Sequence, residues 1–262
     1  MHPGSIPGEA SNSCNVPVAF WRRDDCAGAP YVHRTGRTMM DADYSEMRTK
    51  MVDGQIRTTD VTSAAVLSAM LDVPREEFVP AARRKLAYID EHLLVSDDRA
   101  QGGRFLMQPS PFAKLVQLAD IRPGDSVLVV GADAGYSAAV LSRLASTVLA
   151  LESDPVLAER ASSVLAATGC DNVAVVVGPL PEGHAARAPY DVIFFGGGVD
   201  VFPAKIGEQL KEGGRLVVVE GRGNTGLARL YVRENGVVTG RRAFNAAVKP
   251  LPGFERDTAF EF

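Results

Sequence analysis

The sequence predicts an α/β chain: a doubly wound, mainly parallel seven-strand sheet of Rossmann-like type, entered through an N-terminal helical lead-in. Three observations predict it. An apolar run from Ser126 ends in a glycine-containing turn, Gly131 to Gly135, and passes into a helix-like segment from Tyr136 to Ala145. Beyond it, short apolar runs and segments of helical period alternate, the signature of strands crossing over through helices. Near the end, two strand-like runs flank Glu-Asn-Gly, and Asn235-Gly236 is a strong hairpin turn signal.

The lead-in has its own logic. Apolar residues recur at helical spacing from Tyr44 to Gln55, and a second helix follows from Thr62 to Met70, with Asp60 or Thr62 available as its N-cap. Pro74 to Pro80 bends the chain. Tyr88 to Ser96 reads as irregular and partly apolar, and Asp97 to Gly103 as a polar loop. Pro109-Ser110-Pro111 opens a helix to Ala119, because proline is accepted in a first helical turn. Pro123-Gly124 turns the chain into the sheet.

The core then reads as strand 126–131, helix 135–145, strand 147–152, helix 155–167, strand 173–177, strand 191–195, helix 202–211 and strand 214–220. Ala228 to Arg233 and Val237 to Phe244 close it as an antiparallel hairpin.

Composition narrows the class. With 262 residues, 46% hydrophobic and 23% charged, the chain suffices for one α/β domain with flanking elements. Its 28 basic and 32 acidic residues leave a net charge of −4 and no basic stripe, which argues against nucleic acid as a partner. Cys14, Cys26 and Cys170 form neither an even disulfide framework nor a metal cluster, so a reduced cytoplasm without structural metal is expected. No run approaches the ~20 apolar residues of a membrane span. Residues 1–38 mix Gly, Pro, Ser, Asn and Arg without period and read as a disordered extension that includes Trp21; residues 39–262 read as one domain, lead-in 39–122 and sheet core 123–262.

The turn after the first core strand points to chemistry. A buried parallel strand ending in such a turn is expected to leave free backbone N–H groups facing the crevice where α/β proteins bind nucleotides. Glu152 ends the next apolar run, about the ~20 residues beyond Gly131 at which an acid grips ribose hydroxyls. A dinucleotide fingerprint wants glycines first, third and sixth, where Gly131, Asp133 and Tyr136 stand, so hydride transfer fits poorly. An S-adenosylmethionine turn prefers glycines first, third and fifth; Gly131 and Gly135 match and Asp133 breaks the middle.

Met51-Val52-Asp53-Gly54-Gln55-Ile56-Arg57, Val73 through Pro80, Ala87 through Asp90, Gln108-Pro109, Gly131 through Ala138 and Gly213 through Val217 occur in an order and spacing that resemble the protein-L-isoaspartate O-methyltransferase family. The resemblance runs from about Tyr44 to Val219, and Val-Pro-Arg-Glu-Glu-Phe-Val-Pro is its most specific piece. It implies the fold of S-adenosylmethionine-dependent methyltransferases, S-adenosyl-L-methionine as cofactor and methyl transfer to the carboxyl group of isoaspartyl residues in damaged proteins. The cofactor residues it implies are Gly131, Ala132, Asp133, Gly135, Tyr136, Glu152, Ser153, Gly178 and Pro179. Met107, Gln108, Pro109 and Gly196 would meet the substrate. No side chain is assigned a catalytic proton transfer.

The chain departs from that family at places that face ligands. Phe105-Leu106-Met107-Gln108-Pro109 stands where the family reads Thr-Ile-Ser-Gln-Pro, and a thioether cannot donate to a carboxylate. The acid expected two residues before Gly131 is Val129, while Asp133 supplies a carboxylate four residues later; it either pairs with the ammonium of the methionine moiety or obstructs it. Gly178-Pro179-Leu180 replaces Gly-Asp-Gly, removing a partner for the adenine amino group. Gly196-Gly197-Gly198 reads as a flexible lip, and His184 as a loop residue. The alternative to an enzyme is a catalytically silent relative that serves as a ligand-binding or interaction module.

Overall fold

A computed structural model of the chain describes residues 39–96 and 103–256. The N-terminal extension with Cys14, Trp21 and Cys26, and residues 97–102 of the expected polar loop, lie outside the described residues. Helix α1 (Met39–Met51) passes into a wider π-type turn, Val52–Ile56, and a tight turn, Arg57–Thr59. Helix α2 (Ala64–Asp72) is capped by neither expected residue. Asp60 adopts a left-handed φ of 65° at the end of the preceding turn, and Thr62 donates its N–H to Gln117. That leaves Ser63 as the cap, its hydroxyl accepting from the Val66 N–H.

Strands β1 (Leu93–Leu94) and β2 (Phe105–Leu106) form a small antiparallel ladder with Leu94 opposite Phe105. It lies where only irregular chain was expected, because two paired residues are too few to show a period. The ladder clamps the two ends of the 95–104 loop, and α3 (Pro109–Ala119) follows at once.

The main sheet contains β3 (Ser126–Val130), β4 (Thr147–Glu152), β5 (Val173–Val177), β6 (Tyr190–Val199), β7 (Leu210–Glu220), β8 (Leu227–Glu234) and β9 (Val237–Asn245). Their order is β5-β4-β3-β6-β7-β8-β9, parallel from β5 to β7 and antiparallel thereafter. Helices α4 (Tyr136–Ser142), α5 (Pro155–Ala167) and α6 (Ala204–Gly207) lie between strands in the chain.

Both faces of β3 are buried. Val127 and Val129 join the core shared with α3 and α4, whereas Leu128 and Val130 join a second core with Leu180, Ile206 and Phe254. Such a strand has no polar face to show, which is why its sequence is a continuous apolar run. Each of those side chains contributes about 1.5–3 kcal/mol by leaving water.

The winding order of the strands reverses beside β3. From β3 the strands step outward through β4 to β5; the chain then returns to lay β6 on the other side of β3. The carboxyl ends of β3 and β6 therefore border the crevice where α/β sheets bind ligands. Two expectations fail nearby. Helix 202–211 is reduced to α6, because Leu210 already pairs with Tyr190 as the start of β7. Gly196-Gly197-Gly198 is no loose lip, since β6 runs through all three glycines in buried strand. A Cβ on Gly196 would lie 2.1 Å from the Gly131 carbonyl oxygen, and one on Gly197 would lie 2.8 Å from that of Lys249. Glycine here permits close backbone approach rather than motion.

Candidate cofactor and substrate site

Gly131, Ala132, Asp133 and Glu152 meet at the crevice. The turn after β3 needs unusual backbone: φ is 79° at Gly131, 51° at Asp133 and 98° at Gly135. Aspartate is among the few residues with a Cβ that enter this region readily. The expected free amides, however, have partners. The N–H groups of Gly131 and Ala132 donate to the Leu151 carbonyl, at 3.0 and 3.1 Å, and that of Asp133 donates to Glu152 Oε2 at 2.8 Å. A tight turn folded back on the neighbouring strand satisfies its own donors, so it presents shape and carboxylates rather than bare N–H groups.

Glu152 is fully buried at the tip of β4. Its Oε1 accepts from the Ser153 and Asp154 N–H groups at 2.8 and 3.0 Å, and its Oε2 from Asp133 N–H. These donors aim the carboxylate across the crevice toward the turn.

The third member of the cluster is Arg104, absent from the sequence reading. It projects from the clamp beside β2, with its own N–H on Ser96 Oγ and its carbonyl accepting from Val95 N–H. Its Nη2 lies 2.8 Å from both Glu152 Oε2 and Asp133 Oδ1, its Nε 2.9 Å from the same Asp133 oxygen, and its Nη1 3.4 Å from Ser153 Oγ. Arg104 and Asp133 are nearly as buried as Glu152. Burial opposes charge on Arg104, but Asp133 and Glu152 outweigh it and hold the guanidinium above the usual arginine range. For Asp133, burial dominates: despite Arg104, and helped by Glu152, its carboxyl is pushed up to about 7.

Leu251 also reaches this place. The segment after β9 crosses the strand ends, Gly198 donating to the Lys249 carbonyl and Leu251 to that of Gly198, both at 2.8 Å. A Cβ on Gly131 would lie 2.5 Å from Leu251 Cδ2 and 3.3 Å from Arg104 Nη2. Only a small void of about 10 Å³ remains between Met107, Asp133, Tyr136 and Gly196. On the other side of Arg104 a hollow of about 560 Å³ opens between Ser96, Gly103, Ser153, Asp154, Arg160 and Pro252. That volume falls within the usual range for small-molecule sites.

The other implied residues divide. Ser153 lines the hollow, whereas Gly178 and Pro179 do not; Gly178 donates to the Glu152 carbonyl and Pro179 is exposed. Gly135 serves packing, since its Cβ would lie 3.2 Å from that of Ala161 on α5. The Tyr136 side chain points away from the crevice into the core, its hydroxyl 3.5 Å from Met70 Sδ and its ring against Phe78 and Phe112.

The Met107 to Pro109 segment, which the resemblance assigns to the substrate, is held from behind by Arg75. This fully buried side chain donates to the carbonyls of Ala87, at 2.8 Å, and Met107, at 2.7 Å, and lies 4.7 Å from the Tyr136 ring centroid. Beside it Tyr88 donates to Glu76. Gln108 donates its N–H to His92 Nδ1 and stands at the N-cap of α3, with Pro109 in the first turn. Arg104 escaped the sequence reading because it carries no period, and Arg75 entered it only as part of the Val73 to Pro80 segment, with no role assigned to its side chain. The available signal was an extra carboxylate, Asp133, in a turn that needed a counter-charge.

What a ligand of nucleoside size would meet at this frame is a bare Gly131, the buried carboxylate of Glu152 and an adjoining hollow of about 560 Å³. Arg104 lies between the two acids and that hollow. Among the described residues no cluster of His, Cys, Asp and Glu could hold a metal, and no helix is long and apolar enough to cross a membrane.

Known proteins agree with this frame. Residues 46–253 match the family model for protein-L-isoaspartate(D-aspartate) O-methyltransferase. A protein-L-isoaspartate O-methyltransferase of Koribacter versatilis is 39% identical over 185 residues, covering 71% of this chain and 80% of its own. One from Roseiflexus sp. is 36% identical over 218 residues, covering 83% and 97%. A solved protein-L-isoaspartate O-methyltransferase superposes with a TM-score of 0.69 at 30% identity, over 79% of this chain and 66% of that one. A Plasmodium falciparum chain of the same description, solved in complex with S-adenosyl-L-homocysteine, shares the fold at a TM-score of 0.64 and 17% identity, over 78% of this chain and 96% of that one. The family match spans the lead-in, the crevice and the strap that carries Leu251, and the chain belongs to the protein-L-isoaspartate(D-aspartate) O-methyltransferase family.

Proposed function

We propose that this chain methylates the carboxyl group of isoaspartyl residues in damaged proteins, with S-adenosyl-L-methionine as methyl donor. The observation that carries the reading is Glu152, buried and aimed by backbone N–H groups across the switch point at Gly131, in a chain matched to the family from 46 to 253. When bound, the cofactor would supply an electrophilic methyl group to the acceptor carboxylate, with S-adenosylhomocysteine as the leaving thioether.

The residues of this chain have a modest chemical task. An isoaspartyl carboxyl, with an ordinary pKa near ~4, is ionised at neutral pH and needs no general base. Glu152 would accept the ribose hydroxyls, and the backbone at Gly131 and Ala132 would lie along the ligand. Arg75 fixes the Met107 carbonyl, and with it the segment of Met107, Gln108 and Pro109 that borders the acceptor. Holding the acceptor in line and dry can supply several kcal/mol of barrier lowering. Asp133, Ser153 and Gly196 complete the site on this reading, as does a single domain over 39–262. A cytoplasmic setting, with protein rather than nucleic acid as partner, accords with a net charge of −4.

Calorimetric titration with S-adenosylhomocysteine, then transfer of a radiolabelled methyl to an isoaspartyl peptide, tests the reading. Binding and transfer are expected. Binding without transfer to any isoaspartyl peptide would assign another acceptor, and no binding would leave an interaction module.

A further inference from the structure

In the described structure the Arg104 side chain bridges the two acids of the crevice, Asp133 and Glu152. Arg104 brings a cation to Asp133 and N–H donors to Glu152 Oε2. The reading above places the ribose hydroxyls on Glu152, and a pairing of Asp133 with the ammonium of the methionine moiety would place the ligand's cation where the guanidinium now lies. We propose that Arg104 is an internal surrogate for the cofactor, a gate that S-adenosyl ligands must displace from the two carboxylates in order to bind.

The surroundings allow that exchange. The Arg104 backbone is tied down on both sides, by Ser96 Oγ at its N–H and by Val95 N–H at its carbonyl, so the side chain can swing without unfolding the ladder. The hollow of about 560 Å³ lies directly beside it. Asp154 lines that hollow and already acts electrostatically on Arg104, giving the displaced guanidinium an acid to face. The exchange keeps the local charge: the guanidinium beside Asp133 is replaced by the ligand's ammonium, and the hydroxyls satisfy Glu152 as donors. Buried ion pairs of this kind add little net stability compared with apolar packing, so stability alone does not account for the cluster.

This inference rests on the cofactor reading, and the experiment separates the two. S-adenosylhomocysteine is titrated calorimetrically into wild type, Arg104→Met and Arg104→Lys, with folding checked by thermal melting. Arg104→Met keeps the length of the stem without its donors and is expected to bind about tenfold more tightly than wild type. Arg104→Lys keeps the charge but cannot bridge both acids, so it should fall between them and serves as the test if the methionine variant fails to fold. Wild type that binds as well as both variants, or better, overturns the gate and leaves the cofactor reading standing. No binding by any of the three overturns both.

Discussion

Gly131 and Gly196 stand so close across the switch point that a single methyl group at residue 196 would lie 2.1 Å from the carbonyl oxygen of residue 131. The contact is with backbone, which cannot rotate aside. Gly196→Ala must therefore separate the ends of β3 and β6, at about 1–3 kcal/mol for overpacking. For a domain of this size that is a fall of several degrees in Tm, with weaker S-adenosylhomocysteine binding, read by calorimetry on the same sample. An unchanged Tm would show that the strands separate freely.

Asp133 makes stability depend on pH in an unusual direction. Burial raises its carboxyl from 3.8 to about 7, so between those values the folded protein holds a proton that the unfolded chain has lost. Stability contributed by this group is complete at low pH and falls as pH rises through the window. Asp133→Asn should flatten that part of the profile, as followed by Tm between pH 4 and pH 8. A wild-type profile that rises over the window because of Asp133 would reverse the sign assigned here.

Arg75 is expected to position the acceptor segment. Replacing it with methionine leaves the carbonyls of Ala87 and Met107 without their donor and should cost about 1–3 kcal/mol for each acceptor left unsatisfied. In the surviving folded fraction the KM for an isoaspartyl peptide should rise while S-adenosylhomocysteine affinity holds. Equal loss of both would reduce Arg75 to a general support of the fold.

On the proposed reading, the Met107 side chain offers the acceptor no donor. Met107→Ser restores a hydroxyl and should raise kcat/KM toward isoaspartyl peptides, by up to about tenfold for one added hydrogen bond, without altering cofactor affinity. Steady-state kinetics on wild type and variant decide it, and a lower kcat/KM would mean that the thioether serves an acceptor of another kind.

The elements legible in the sequence were those whose periodicity comes from burial. Val127 to Val130 and Val148 to Leu151 are apolar throughout because both faces of their strands are covered. The turn at Asn235 and Gly236 was legible because both residues take positive φ, 52° and 76°. Glycine was ambiguous: at Gly236 it marks a turn, whereas at Gly196 to Gly198 the same residue continues a strand against neighbouring backbone. Glu152 was visible from its distance to Gly131. Arg104 was not, because its partner acids lie 29 and 48 residues away and long-range pairing leaves no local pattern.

The most direct test of the account is calorimetric titration of S-adenosylhomocysteine into the wild-type protein and Glu152→Gln. The account predicts one-to-one binding by the wild type and its loss, by tenfold or more, in the variant. Equal affinity in both would place the ligand away from the tip of β4 and contradict it.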